Sequence, residues 1–137
     1  MQAWIDSMNL MQIYEVTVAV RLALALICGG ILGLERTRKQ RAAGMRTYML
    51  VCVGSCLIML TNQYLFQVTH TGDPMRLGAQ VVSGIGFLGA GTIMVTRRHQ
   101  VKGLTTAAGL WAVACLGINI AVIAVFDRNG FRRRDYE

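Results

Sequence analysis

Residues 13–34 read IYEVTVAVRLALALICGGILGL, and how this stretch is solvated decides the fold. A helix of about 20 predominantly apolar residues crosses a hydrocarbon core about 30 Å thick. It does so because every backbone N–H and C=O is then satisfied within the segment. The stretch has that length, and only Glu15 and Arg21 interrupt it. Its second half places Ala25, Gly29 and Gly33 four residues apart on one helix face. In lipid no hydrophobic drive holds helices together, so small residues at that spacing serve close backbone approach. That face is expected to pack on another helix.

Outward from this segment the same pattern recurs at 47–68, 77–96 and 104–126. With 54% of its 137 residues hydrophobic, the chain exceeds the apolar content of a soluble domain. The reading is an all-α integral membrane protein of about four transmembrane helices. Residues 1–126 form the membrane domain and 127–137 a basic tail. The first twelve residues carry no Lys or Arg, unlike the n-region of a cleaved signal peptide, so no processing is expected. Gly84, Gly86 and Gly89 spell GxGxxG, but that fingerprint needs a preceding strand and a following acidic residue, and neither is in place. The third segment's helix-packing residues are instead Ser83, Gly84, Gly86, Gly89 and Gly91, alongside Gly29 and Gly33 of the first and Trp111 of the fourth. Cys28, Cys52, Cys56 and Cys115 lie inside apolar stretches, where a thiol packs as a small hydrophobe; no metal site and no cofactor is expected.

The net charge of +7 is written in short blocks between apolar stretches. That is the grammar of membrane topology and not of a nucleic-acid surface. Arg36, Arg38, Lys39, Arg41 and Arg46 follow the first segment, and Arg97, Arg98 and Lys102 follow the third. Both loops are expected in the cytoplasm, with the N-terminus and the loop of Asp73 and Arg76 outside. The tail, with Arg128, Arg132, Arg133 and Arg134, breaks the pattern if all four segments span.

Ionisable residues at membrane depth are expensive. Arg21 either snorkels to the outer interface or joins an outer-side polar cluster with Asp73, Arg76 and Gln80. Glu35 ends the first helix, where an anion meets the negative end of the helix dipole and calls for a partner. Arg46, at the start of the second helix, and the fourth helix's first turn, with Thr105 and Thr106, lie on the same side. With Arg36 they make a candidate cytoplasmic polar cluster, although capping alone explains the two threonines equally well. No Ser or Cys sits near a His and no carboxylates pair closely, so enzymatic activity is not expected.

Five motifs run in order: GLER at 33–36, AGMRT at 43–47, DPMR at 73–76, AQVVSGIGFLGAG at 79–91 and KGLTTAAGLW at 102–111. Together they resemble the MgtC/SapB membrane domain. The resemblance implies a multi-pass protein of the bacterial inner membrane with its N-terminus outside. It is linked to low-magnesium adaptation and, in pathogens, to survival inside macrophages. One member is described as restraining the proton-translocating ATP synthase, so the resemblance implies a regulator that binds another membrane protein. Family members generally carry a fifth membrane helix, and many add a C-terminal domain; this sequence departs from that pattern after Trp111. The alternative is a magnesium or proton transporter formed by a homo-oligomer. Mg²⁺ wants oxygen ligands in octahedral geometry, and the segments carry no carboxylate from Arg21 to Leu34 or within the second to fourth. The orientation is testable directly. An impermeant maleimide applied from outside the cell should label Gly72→Cys and spare Gln40→Cys; the reverse would invert the topology.

Overall fold

The computed structural model describes the backbone at residues 2–95 and 100–133, with side chains at 15–94 and 100–123. The elements are α1 (Gln2–Arg38), α2 (Met45–Thr69), α3 (Arg76–Thr92), β1 (Met94–Val95), β2 (Val101–Lys102) and α4 (Leu104–Arg133). Three of the helices contain stretches long and apolar enough to cross a membrane: Glu15–Arg38, Met45–Thr69 and Leu104–Ile123. The strands form a two-residue antiparallel hairpin that pairs Met94 with Lys102 and Val95 with Val101.

The third segment corrects the expectation of a span reaching residue 96. α3 ends at Thr92, where Ile93 turns to extended backbone. At 17 residues, α3 is about 26 Å long, short of a full hydrocarbon crossing. The reason lies at the other arm of the hairpin. Gly103 has φ +96°, and a Cβ there would overlap the carbonyl of Thr92. Only glycine brings the chain back that closely, and its carbonyl then accepts from the N–H of Ala107 in the first turn of α4.

The remaining turns are equally local. α2 ends on His70 in the left-handed conformation, with its N–H donating to the Phe66 carbonyl. The Asp73 carboxylate accepts from the N–H of Met75 at 2.8 Å, supplying an acceptor at the start of α3.

Helices α2 and α4 form the middle of the bundle. α1 packs mainly on α2, and α3 mainly on α4. The core is built from Ala25, Tyr48, Cys52, Cys56, Met59, Ile85, Leu110, Val113, Ala114 and Ala121, and glycine sets its spacing. A Cβ at Gly29 would lie 2.9 Å from the Tyr48 carbonyl oxygen and 3.0 Å from Cys52's neighbour Met49 at its Cα. A Cβ at Gly33 would lie 2.9 Å from the Cβ of Tyr48, and one at Gly117 would overlap the backbone of Cys52. The helix backbones therefore touch at these points. By contrast Gly84, Gly86 and Gly91 of α3 face open space. Gly86 thus does not pack against a neighbour within the chain, which corrects its assignment to interior packing. Gly89 alone of that group meets another helix, 3.5 Å from Ala107.

In detergent, Gly117→Val should lower stability by about 1–3 kcal/mol or more through overpacking. Gly86→Val should leave the thermal midpoint where it is. Equal losses in the two variants would contradict this division of α3 from the core.

Candidate functional site

The basic end of the bundle, which carries the 39–44 loop, is organised by a residue that the sequence reading passed over. Gly44 precedes α2 and offers no side-chain cap. Thr37 of α1 fills the role: its hydroxyl accepts from the N–H of Met45 at 2.8 Å and donates to the Gly33 carbonyl at 3.2 Å. A borrowed cap satisfies one of the orphan donors of a helix start and ties α1 to α2. The signal for it was the glycine itself, because a helix start without a polar side chain must take its acceptor from elsewhere.

Glu35 does not use Arg46, which corrects the expected pairing. Its carboxylate is 2.6 Å from the Lys39 ammonium, one turn along the same helix, and both side chains are more than half exposed. Local i,i+4 geometry supplies a directly bonded, solvent-exposed partner, so no tertiary countercharge is needed. Arg46 and Thr105 are exposed, Arg36 is half-buried and Thr106 is buried. Glu35, Arg46 and the two threonines are therefore not one connected site. Beside Thr106 on α4, the Tyr48 ring fills the space left by Gly109. Its buried hydroxyl has no hydrogen-bond partner among the described residues.

The opposite end also differs from its expected cluster. The Arg21 guanidinium donates to the Ala121 carbonyl at 3.2 Å, linking α1 to α4. Asp73 is engaged with Met75, and Gln80 is exposed on α3. Because α1 packs on α2 and α4 while α3 packs on α4 and α2, Arg21 meets α4 and not the Asp73 loop. Asn62, buried near the end of α2, donates its side-chain amide to the Pro74 carbonyl and anchors that loop instead. Arg97 and Arg98 lie outside the described residues, as do the side chains of Arg128, Arg132 and Arg133.

Other polar side chains along the helices bond back to their own backbones. Ser55 donates to the Val51 carbonyl at 2.7 Å, Thr92 to Gly89 at 2.8 Å and the Asn119 amide to Cys115 at 2.9 Å, which satisfies them without a second helix. Among the described residues, no three His, Cys, Asp or Glu side chains come together as metal ligands would.

All four helices turn apolar side chains outward, and α3 adds a face of small residues. Ala79, Ser83, Gly86 and Ala90 are all exposed and fall on one side of the helix at i, i+4, i+7 and i+11. Phe87 stands beside them, 84% exposed. Trp111 of α4 is half exposed.

Two outcomes separate these contacts. Thr37→Val should cost about 1 kcal/mol, as the loss of a cap does, whereas Tyr48→Phe should change stability by less than about 0.5 kcal/mol because no hydrogen bond is lost. Glu35→Gln and Arg46→Gln should combine additively in thermal unfolding. A coupling between them would restore the pairing that the structure lacks.

A family model described as the MgtC family matches residues 22–126. YhiD of Escherichia coli K12, named "Putative magnesium transporter YhiD", is 45% identical over 106 residues, which cover 74% of this chain and 49% of that protein. Protein MgtC of Salmonella typhimurium is 43% identical over 99 residues, covering 72% and 41%. Protein SapB of Bacillus subtilis is 36% identical over 119 residues, covering 83% and 50%. The chain spans about half the length, or somewhat less, of these relatives. No solved structure matches it. With the family model covering most of the chain and its motifs lying on the helices described above, this membrane protein belongs to the MgtC family.

Proposed function

We propose that the protein is a non-enzymatic regulator of the bacterial inner membrane that acts by binding another integral membrane complex, with α3 as its docking helix. The observation that carries this reading is the outward face of Ala79, Ser83, Gly86 and Ala90. In lipid, small residues on a helix surface serve close approach to another helix. Lining no contact within the chain at Gly86, they stand available for a partner. Thr37, Glu35, Arg21 and Asn62 are engaged within the chain, and the outward small-residue face of α3 is the surface that does the work in this reading. The ATP synthase is the partner that the family resemblance suggests. Low-magnesium adaptation and intracellular survival are the settings in which such restraint would operate.

A second reading, a magnesium or proton transporter assembled from several copies, is supported by the printed name of the Escherichia coli relative. Two experiments separate the readings. Tagged protein solubilised from native membranes should retain ATP synthase subunits, and Ser83→Leu with Gly86→Leu should reduce recovery at least tenfold without lowering the thermal midpoint. Equal recovery from parent and variant would end the docking assignment. Vesicles holding the purified chain and a magnesium-sensitive dye should show no flux above empty vesicles; saturable, protein-dependent flux would favour the transporter.

A further inference from the structure

Helices α2 and α3 do not pack along their whole length. Near the end opposite the basic loops they touch, with Gly78 of α3 close enough to Met59 that a Cβ would lie 3.1 Å from the Met59 sulfur. Toward the basic end they splay apart around a groove of about 390 Å³, whose walls include Leu50, Gly54 and Ile58 of α2 and Gly84 and Leu88 of α3. Gly54 and Gly84 widen it, since a side chain at either would meet nothing within 4 Å.

We propose that this groove holds an acyl chain of an anionic phospholipid, with the lipid phosphate held by Arg46. Three observations fix the occupant. The first is length: from Leu50 to Ile58 the α2 wall rises about 12 Å, close to the roughly 15 Å of hydrocarbon in one leaflet. A transmembrane helix would need a groove twice as long. The second is shape, because the groove lies open on the bundle surface between α2 and α3 and ends where Gly78 meets Met59, so a chain lying along it reaches in from the nearer membrane surface. The third is charge. Arg46, Leu50, Gly54 and Ile58 follow one another at four-residue spacing on α2, which places Arg46 one turn beyond the groove at its open end. Arg46 is exposed, and Glu35, the carboxylate at that end of α1, is engaged with Lys39. Arg46 is one of several cations at that end, and a guanidinium in line with an apolar groove matches a phosphate followed by an acyl tail.

The full chain in detergent, titrated with phosphatidylglycerol or with phosphatidylcholine of the same acyl composition and read by native mass spectrometry, tests the assignment. Phosphatidylglycerol should be retained about fivefold better, the share expected of one basic residue at a membrane surface. Arg46→Gln should reduce that preference about fivefold by weakening phosphatidylglycerol alone. Gly54→Leu and Gly84→Leu, which add side chains into open space, should each reduce retention of both lipids at least fivefold while helical circular dichroism and the thermal midpoint stay unchanged. Equal retention of the two lipids by the parent, a preference left unchanged by Arg46→Gln, or full retention with the groove filled would each overturn the proposal. A dimer that Gly84→Leu dissociates, with no headgroup preference, would overturn it in favour of a second copy as the occupant. The assay contains no partner complex, so its outcome is independent of the docking role of the opposite face of α3.

Discussion

The bundle depends on backbone contact between helices. Where α1 and α4 meet α2, the spacing is set by atoms that are absent: Gly29 and Gly33 on one side of α2, Gly109 and Gly117 on the other. Lipid offers apolar groups the same environment as a protein interior, so association must come from dispersion at short range. Two helices separated by full-sized side chains forfeit much of it. Tyr48 shows how tightly the scheme closes. Its Cβ lies against Gly33 while its ring fills the space left by Gly109, so that one side chain touches both neighbours of α2.

Once glycine governs that contact, the polar residues divide by what the contact permits. Backbones that approach closely bring carbonyls and hydroxyls within reach. Thr37 caps α2 from α1, Arg21 reaches the Ala121 carbonyl of α4 and Asn62 holds the Pro74 loop. Each of these satisfies a donor at a cost that a looser bundle could not meet. Charged residues outside the contacts, such as Glu35 and Lys39, resolve their electrostatics locally in water. The result is a structural frame of α1, α2 and α4, with the shorter α3 leaning on it and carrying its own outward surface.

Much of this was legible in the sequence, and the failures share one cause. Apolar runs of membrane length and the Ala25, Gly29, Gly33 row are periodic signals, and period alone decides them. The direction in which α3 faces is not periodic information, since its small residues surround the helix: Gly78 and Gly89 turn inward while Gly84, Gly86 and Gly91 turn outward. A glycine-rich helix gives no apolar stripe to orient it. Ion pairs failed for a related reason, because proximity across helices cannot be read from one chain. Glu35 was matched with Arg46 across a loop when Lys39 stood one turn away at a spacing already written in the sequence. Thr37 carries no local signal of its role, because the helix start it caps belongs to the neighbouring helix.

The proposed working surface of α3 lies on the side turned away from the frame. Spin labels placed singly at 79, 83, 86 and 90, and at 78, 85 and 89 for comparison, report contact with lipid through their relaxation by dissolved oxygen. In vesicles of defined lipid holding only this chain, the first set should be oxygen-accessible and the second protected. In native membranes containing the partner complex, the first set should lose accessibility while the second stays unchanged. Identical accessibility at 79, 83, 86 and 90 in the two membranes would contradict the account.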